Sequence, residues 1–222
     1  MAIAFDSVST MFDDTGGTTH THAFNNVAGD VLFVCIFNQS TSGNYDTITG
    51  ATYNSVAMTR VTQTLIADNI GGVQGIAIYR LLDPATGSNN FEWTQSAANA
   101  AASSAAISYS GADSFTDSPS TNYNNNTTQI SDSVDTTINN SWVNVFAWSE
   151  RALTANGGTV TPRLGSGTQF YIGDSTAITP AGTYTATIDV GGGGQRVGII
   201  LTPFAPVSTS SSHNLTLLGV GT

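Results

Sequence analysis

Residues 31–37 read Val31-Leu32-Phe33-Val34-Cys35-Ile36-Phe37, seven apolar side chains in succession, rich in β-branched and aromatic types. A half-buried strand would alternate apolar and polar residues, so an unbroken run of this length predicts a strand covered on both faces. Val143–Ala147 and Val197–Leu201 have nearly the same texture, and the three runs are expected to form the core. Cys35, the only cysteine, sits inside the first run, where a thiol behaves as a small hydrophobe and no internal disulfide is possible.

Outward from these runs, short apolar or alternating segments recur between Gly, Asn, Asp and Pro clusters, the spacing of an all-β sandwich or barrel. Strands are expected near residues 2–9, 19–24, 30–38, 48–53, 56–66, 73–82, 90–95, 102–110, 127–137, 141–149, 158–164, 170–176, 183–190 and 196–202. Residues 97–106 have the best helical composition but no clear cap, and read as a loop entering a strand. Residues 127–137 space Ile130, Val134 and Ile138 among polar residues and resemble an edge strand. Asn54-Ser55 predicts a short hairpin, Asp83-Pro84 with Gly87 a turn, and residues 191–194 a glycine link. The polar stretch 111–126 is expected to be the largest loop. The fold class predicted is an all-β, antiparallel, jelly-roll-like β-sandwich. One domain covers residues 1–204, and residues 205–222 form a linker with a C-terminal strand or assembly tail.

Composition narrows the function. The 222 residues hold five Arg, no Lys and fifteen acids, for a net charge of -10. Without Lys there is no Schiff-base, P-loop or Ser-Lys chemistry, and this balance argues against nucleic acid as a partner. The opening Met1–Asp6 lacks a basic segment and an apolar stretch of signal length. No run approaches the ~18 residues of a membrane helix. Synthesis in the cytoplasm and no membrane insertion are therefore expected.

Several phrases carry a resemblance: AIAFDSVST (2–10), HTHAFNNVAGDVLFVCIFN (20–38), ATYNSVAMTRV (51–61), IYRLLDPATGSNNFEW (78–93) and AISYSGAD (106–113). Together they resemble a β-sandwich family of tailed-phage virion proteins and related prophage or bacterial surface proteins, over residues 1–204. QRVGIILTPF (195–204) is similar to that family's apolar final strand. The resemblance implies a non-enzymatic jelly-roll module used as a capsid decoration, head fibre or tail appendage, located in the virion among other virion proteins. It supplies no catalytic residues and no cofactor. One departure is Asn54-Ser55, where the family often has Asn-Gly.

Candidate chemistry is sparse. His20 and His22 lie two apart on an expected strand and so share one face, as two metal ligands can. No third ligand is visible, and the pair reads as a surface or half-buried pair with no metal assigned. Asp13-Asp14 and Asp132 with Asp135 match no calcium motif. Glu92 and Glu150, the only glutamates, each stand near a Trp and would suit glycoside hydrolysis only if they shared a face. The alternative function is a sugar-binding module, because Asn122, Tyr123 and Asn124 offer amides and a ring for glycan contact.

The C-terminus supplies the assembly candidates. After a Ser-rich linker come His213, Asn214, Leu215, Leu217, Leu218 and Val220, a second apolar segment beyond a sandwich that already closes. Left in water, each large aliphatic side chain forgoes on the order of 1.5–3 kcal/mol, so this segment is expected on another subunit's sheet edge or on the particle surface. Folding back as an extra edge strand is the other possibility.

Overall fold

The computed structural model describes residues 1–40, 47–69, 72–115, 117–156, 160–192 and 195–208, which contain strands and no helix. Strand β4 (Val31–Ser40) lies at the centre, paired antiparallel to β10 (Asn99–Ser110) and β8 (Gly72–Leu82). Beyond β10, β1 (Ala4–Val8) and β2 (Phe12–Asp14) follow one another along the same edge, and β7 (Thr59–Asn69) flanks β8. This is the middle sheet, of six strands.

Both of its faces are covered, which is why the 31–37 run has no polar residue. Leu32, Val34 and Ile36 pack against Tyr53, Phe91 and Trp93 of a four-stranded outer sheet. Its order is β3 (Thr19–Asn26), β9 (Gly87–Gln95), β5 (Ile48–Tyr53) and β6 (Val56–Ala57). The alternate residues Val31, Phe33, Cys35 and Phe37 face an eight-stranded sheet. There β14 (Trp142–Ala155) lies between β18 (Gln195–Pro206) and β16 (Thr168–Asp174), with β15 (Thr161–Leu164) outside β16. Phe37 stacks on Trp148 at 3.8 Å, and Phe33 meets Phe204 edge-on at 5.4 Å. β18 passes so close to the middle sheet that a Cβ on Gly198 would lie 2.8 Å from Ile66 Cγ1.

The far side of the eight-stranded sheet is covered too. β17 (Thr183–Val190) pairs with the end of β14 and with β13 (Gln129–Asp135), and these two strands fold over its outer face. Ile130, Val134, Ala186 and Ile188 meet Val145, Ala147, Ile199 and Leu201 there. The molecule is thus an all-β, antiparallel β-sandwich with extra layers outside the central pair of sheets. β13 pairs only with β17 among the described residues, as an edge strand should.

Local differences from the sequence reading have physical causes. The 111–126 segment is not one loop: it holds β11 (Ala112–Ser114) and β12 (Ser120–Thr127), both paired to β18. β12 carries Ser, Thr, Asn and one Tyr along an edge, so backbone bonds to β18 hold it without an apolar stripe. The expected strand 56–66 is two strands, since the chain crosses from the outer to the middle sheet at Met58.

β18 continues through Pro203 to Pro206, past the linker start expected at residue 205. Its partner Val143 gives its backbone N–H to Ser175 Oγ and its C=O to Ser175 N–H, so Pro203 owes β14 no hydrogen bond. The other side of Pro203 faces the gap between β12, whose pairing ends at Leu201, and β11, whose pairing begins at Ala205. A residue without an N–H fits there. Asn54 and Ser55 form the expected two-residue hairpin, with φ of 48° and 64° as a type I′ turn requires.

Candidate functional site

A concavity of about 960 Å³ lies where β18 leaves the sandwich. Ile3, Ile138, Trp142, Ala177, Pro206 and Val207 give it apolar walls, and Asp113 and Ser114 of β11 stand on its rim. Trp142 is anchored edge-on against Tyr109 at 6.1 Å. The chain runs along this rim in extended form: Val207 N–H donates to Gly111 O at 2.9 Å and Ser208 N–H to Asp113 Oδ2 at 3.3 Å. The assembly candidates His213, Asn214, Leu215, Leu217, Leu218 and Val220 lie outside the described residues, which end at Ser208 on that rim. Sequence reading missed this groove because its apolar walls come from four chain segments far apart in sequence, each contributing one to three apolar residues.

His20 and His22 do share the inner face of β3, and the structure supplies a partner that spacing did not reveal. Asp14 of β2 accepts a bond from His22 Nε2 at 2.7 Å, and its Oδ2 lies 3.5 Å from His20 Nδ1. His20 stacks on Trp93 at 4.0 Å and accepts at Nε2 from the Gln95 amide at 3.2 Å, which leaves its proton on Nδ1, facing Asp14. His22 stacks on Phe12 at 4.2 Å. Burial holds the His20 pKa below its ordinary value, against the pull of Asp14. The cluster ties an edge of the middle sheet to an edge of the outer sheet. Asp13 next door accepts from Ser103 Oγ at 2.6 Å. Among the described residues no three His, Cys, Asp or Glu are grouped to hold a metal ion.

A second polar cluster sits between the two large sheets. Arg163 of β15 grips Asp174 with two bonds of 2.7 and 3.1 Å and lies over the Phe5 ring at 4.4 Å. Asp174 has no exposed surface, and burial raises its pKa while Arg163 opposes the shift. Burial also raises Tyr109, which accepts a bond from the Asn144 amide at 3.3 Å. The arrangement satisfies a buried charge between packed layers. No signal in the sequence joins these residues, which lie on four strands.

The remaining candidates are dispersed. Asn122, Tyr123 and Asn124 lie on β12, where alternation puts Tyr123 on the opposite face from the two amides. Asn122 Nδ2 donates to Ser131 O at 2.8 Å, and Asn124 Oδ1 accepts from Asn126 N–H at 3.0 Å. Glu92 accepts from Thr21 Oγ on the outer sheet at 3.1 Å, whereas Glu150 pairs with Arg196 at 2.9 Å on the eight-stranded sheet. The two glutamates are not brought together. Asp135 accepts from Thr183 Oγ at 2.6 Å, and Asp132 bonds the N–H of Ser133. Burial pushes the Cys35 thiol up, far from reactivity.

No protein-family model matches the chain, and no curated protein does. Among solved structures it is similar to a chain in the atomic structure of Sulfolobus turreted icosahedral virus, at 10% identity and a TM-score of 0.33. That match covers 93% of this chain and 92% of the other. It is also similar to BuGH86 crystallised with neoagarooctaose, at 13% identity and a TM-score of 0.20, over 90% of this chain and 34% of that one. No helix among the described residues is long and apolar enough to cross a membrane.

Proposed function

We propose that the chain is a non-enzymatic structural subunit of a virion, of the tailed-phage kind its sequence resembles. In this reading it is a capsid decoration or appendage that assembles with itself and with other virion proteins. The observation that carries the reading is the end of β18: bonds from Val207 and Ser208 lay the chain along the rim of an apolar groove, and the apolar segment 213–220 follows a few residues later. The charged and imidazole groups that could do chemistry are instead engaged in architecture, His20 and His22 on Asp14, Arg163 on Asp174 and Arg196 on Glu150.

A net charge of -10 makes free subunits repel one another, so association rests on apolar and backbone contacts. Added salt screens the repulsion within a Debye length of about 10 Å at 0.1 M and strengthens association. Light scattering over a salt series tests this. The mass is expected to rise above the 22.9 kDa of one chain as salt is added. A mass that stays at one chain throughout, or that falls with salt, overturns the reading.

A further inference from the structure

We infer that the groove beside Trp142 is the socket for residues 213–220 of a neighbouring copy. This rests on the assembly reading above and names the surface that the tail occupies. Apolar surface is left open there: Met1, on the groove wall, is 73% exposed, and Ile138 and Trp142 are only partly covered. The sheet edge at the rim is open as well. Among the described residues β11 pairs only with β18, so its outer side still offers N–H and C=O groups for an added strand.

The tail has the matching chemistry. Leu215 and Leu217 are two apart and point to one face when the segment is extended, and Thr216 and Leu218 point to the other. His213–Val220 contains no acid, so it meets the rim carboxylate of Asp113 without repulsion. Reach and direction favour a neighbour over the same chain. Bonds to Gly111 and Asp113 hold the chain extended to Ser208. Only Thr209, Ser210, Ser211 and Ser212 remain before His213. They span at most about 14 Å, so filling the chain's own groove requires the chain to turn back within four residues whose Ser and Thr hydroxyls favour a turn only weakly.

Cysteine cross-linking tests the socket, because the native Cys35 is fully buried and leaves the background clean. Chains carrying A177C, at an exposed position on the groove wall, are mixed with chains carrying L217C and oxidised mildly. The mixture is expected to give a covalent heterodimer at about tenfold the yield of L217C mixed with T49C, whose site lies exposed on the outer sheet, because docking raises the local concentration. Independently, A177D should weaken self-association about tenfold, with an unchanged far-UV spectrum, by placing a charge against Leu215 and Leu217. If the A177C/L217C double variant links only within one chain, the tail fills its own groove and the inference is wrong. If association persists with no cross-link and no effect of A177D, the tail docks elsewhere, and the socket falls while the assembly reading stands. If the chain never associates, both fall.

Discussion

Strands β4 and β12 both make antiparallel ladders, yet their sequences have almost nothing in common. β4 has no exposed surface from Val31 to Ile36 and sits between two packed layers. β12 lies on an edge, with six successive exposed residues and register to β18 from Ser120↔Leu201 to Asn124↔Val197. The first strand is specified by its own side chains. The second is specified by its partner, since a free ladder of N–H and C=O groups on β18 is enough to order a polar segment beside it.

Breaking the side chains of each strand exposes the contrast. Phe33→Ala in β4 removes a ring packed among Tyr109, Phe115 and Phe204 and is expected to cost about 3–5 kcal/mol, read as a lower urea midpoint at unchanged m. A loss below about 1 kcal/mol would mean that the layers on this face are loosely packed.

The same contrast explains what could be read from the sequence. The core runs 31–37, 143–147 and 197–201 were legible because burial on both faces leaves an apolar record, unbroken in the first and interrupted only by Asn144 and Gly198 in the others. The shared face of His20 and His22 was legible from the period of two. Their partner Asp14 was not, because it belongs to a three-residue strand of another sheet, and neither was the crossing at Met58, where one expected strand supplies two sheets. Ser120–Thr127 was hidden for the reason given above. The groove and the Arg163–Asp174 pair depend on tertiary assembly and leave no local pattern.

A milder effect belongs to the polar clasp between the sheets. His20 is neutral in the fold with its pKa held below 6.5, so the unfolded chain binds the proton more readily. The stability this contributes is fully present above pH 6.5 and drains away as pH falls from there through the lower folded value. Asp174, raised by burial, acts in the opposite sense at more acid pH. Comparison with His20→Gln isolates the histidine: denaturation curves between pH 7.5 and 5 should slope less in the variant. Identical slopes would remove His20 as the source.

The smallest effect is expected on the edge. Tyr123→Ala or Asn124→Ala in β12 should change stability by no more than about 0.5 kcal/mol, because backbone bonds, not these exposed side chains, hold the strand. A loss above about 1.5 kcal/mol from either would show that β12 depends on its side chains after all, and would erase the distinction from β4.

Assembly through the tail is the central claim, and sedimentation velocity of the full chain beside a chain ending at Ser208 tests it most directly. Every residue of the three layered cores precedes that point. The shortened chain is therefore expected to unfold at the same denaturant midpoint yet sediment as a monomer in salt that assembles the full chain. A shortened chain that assembles as the full one does would contradict the account.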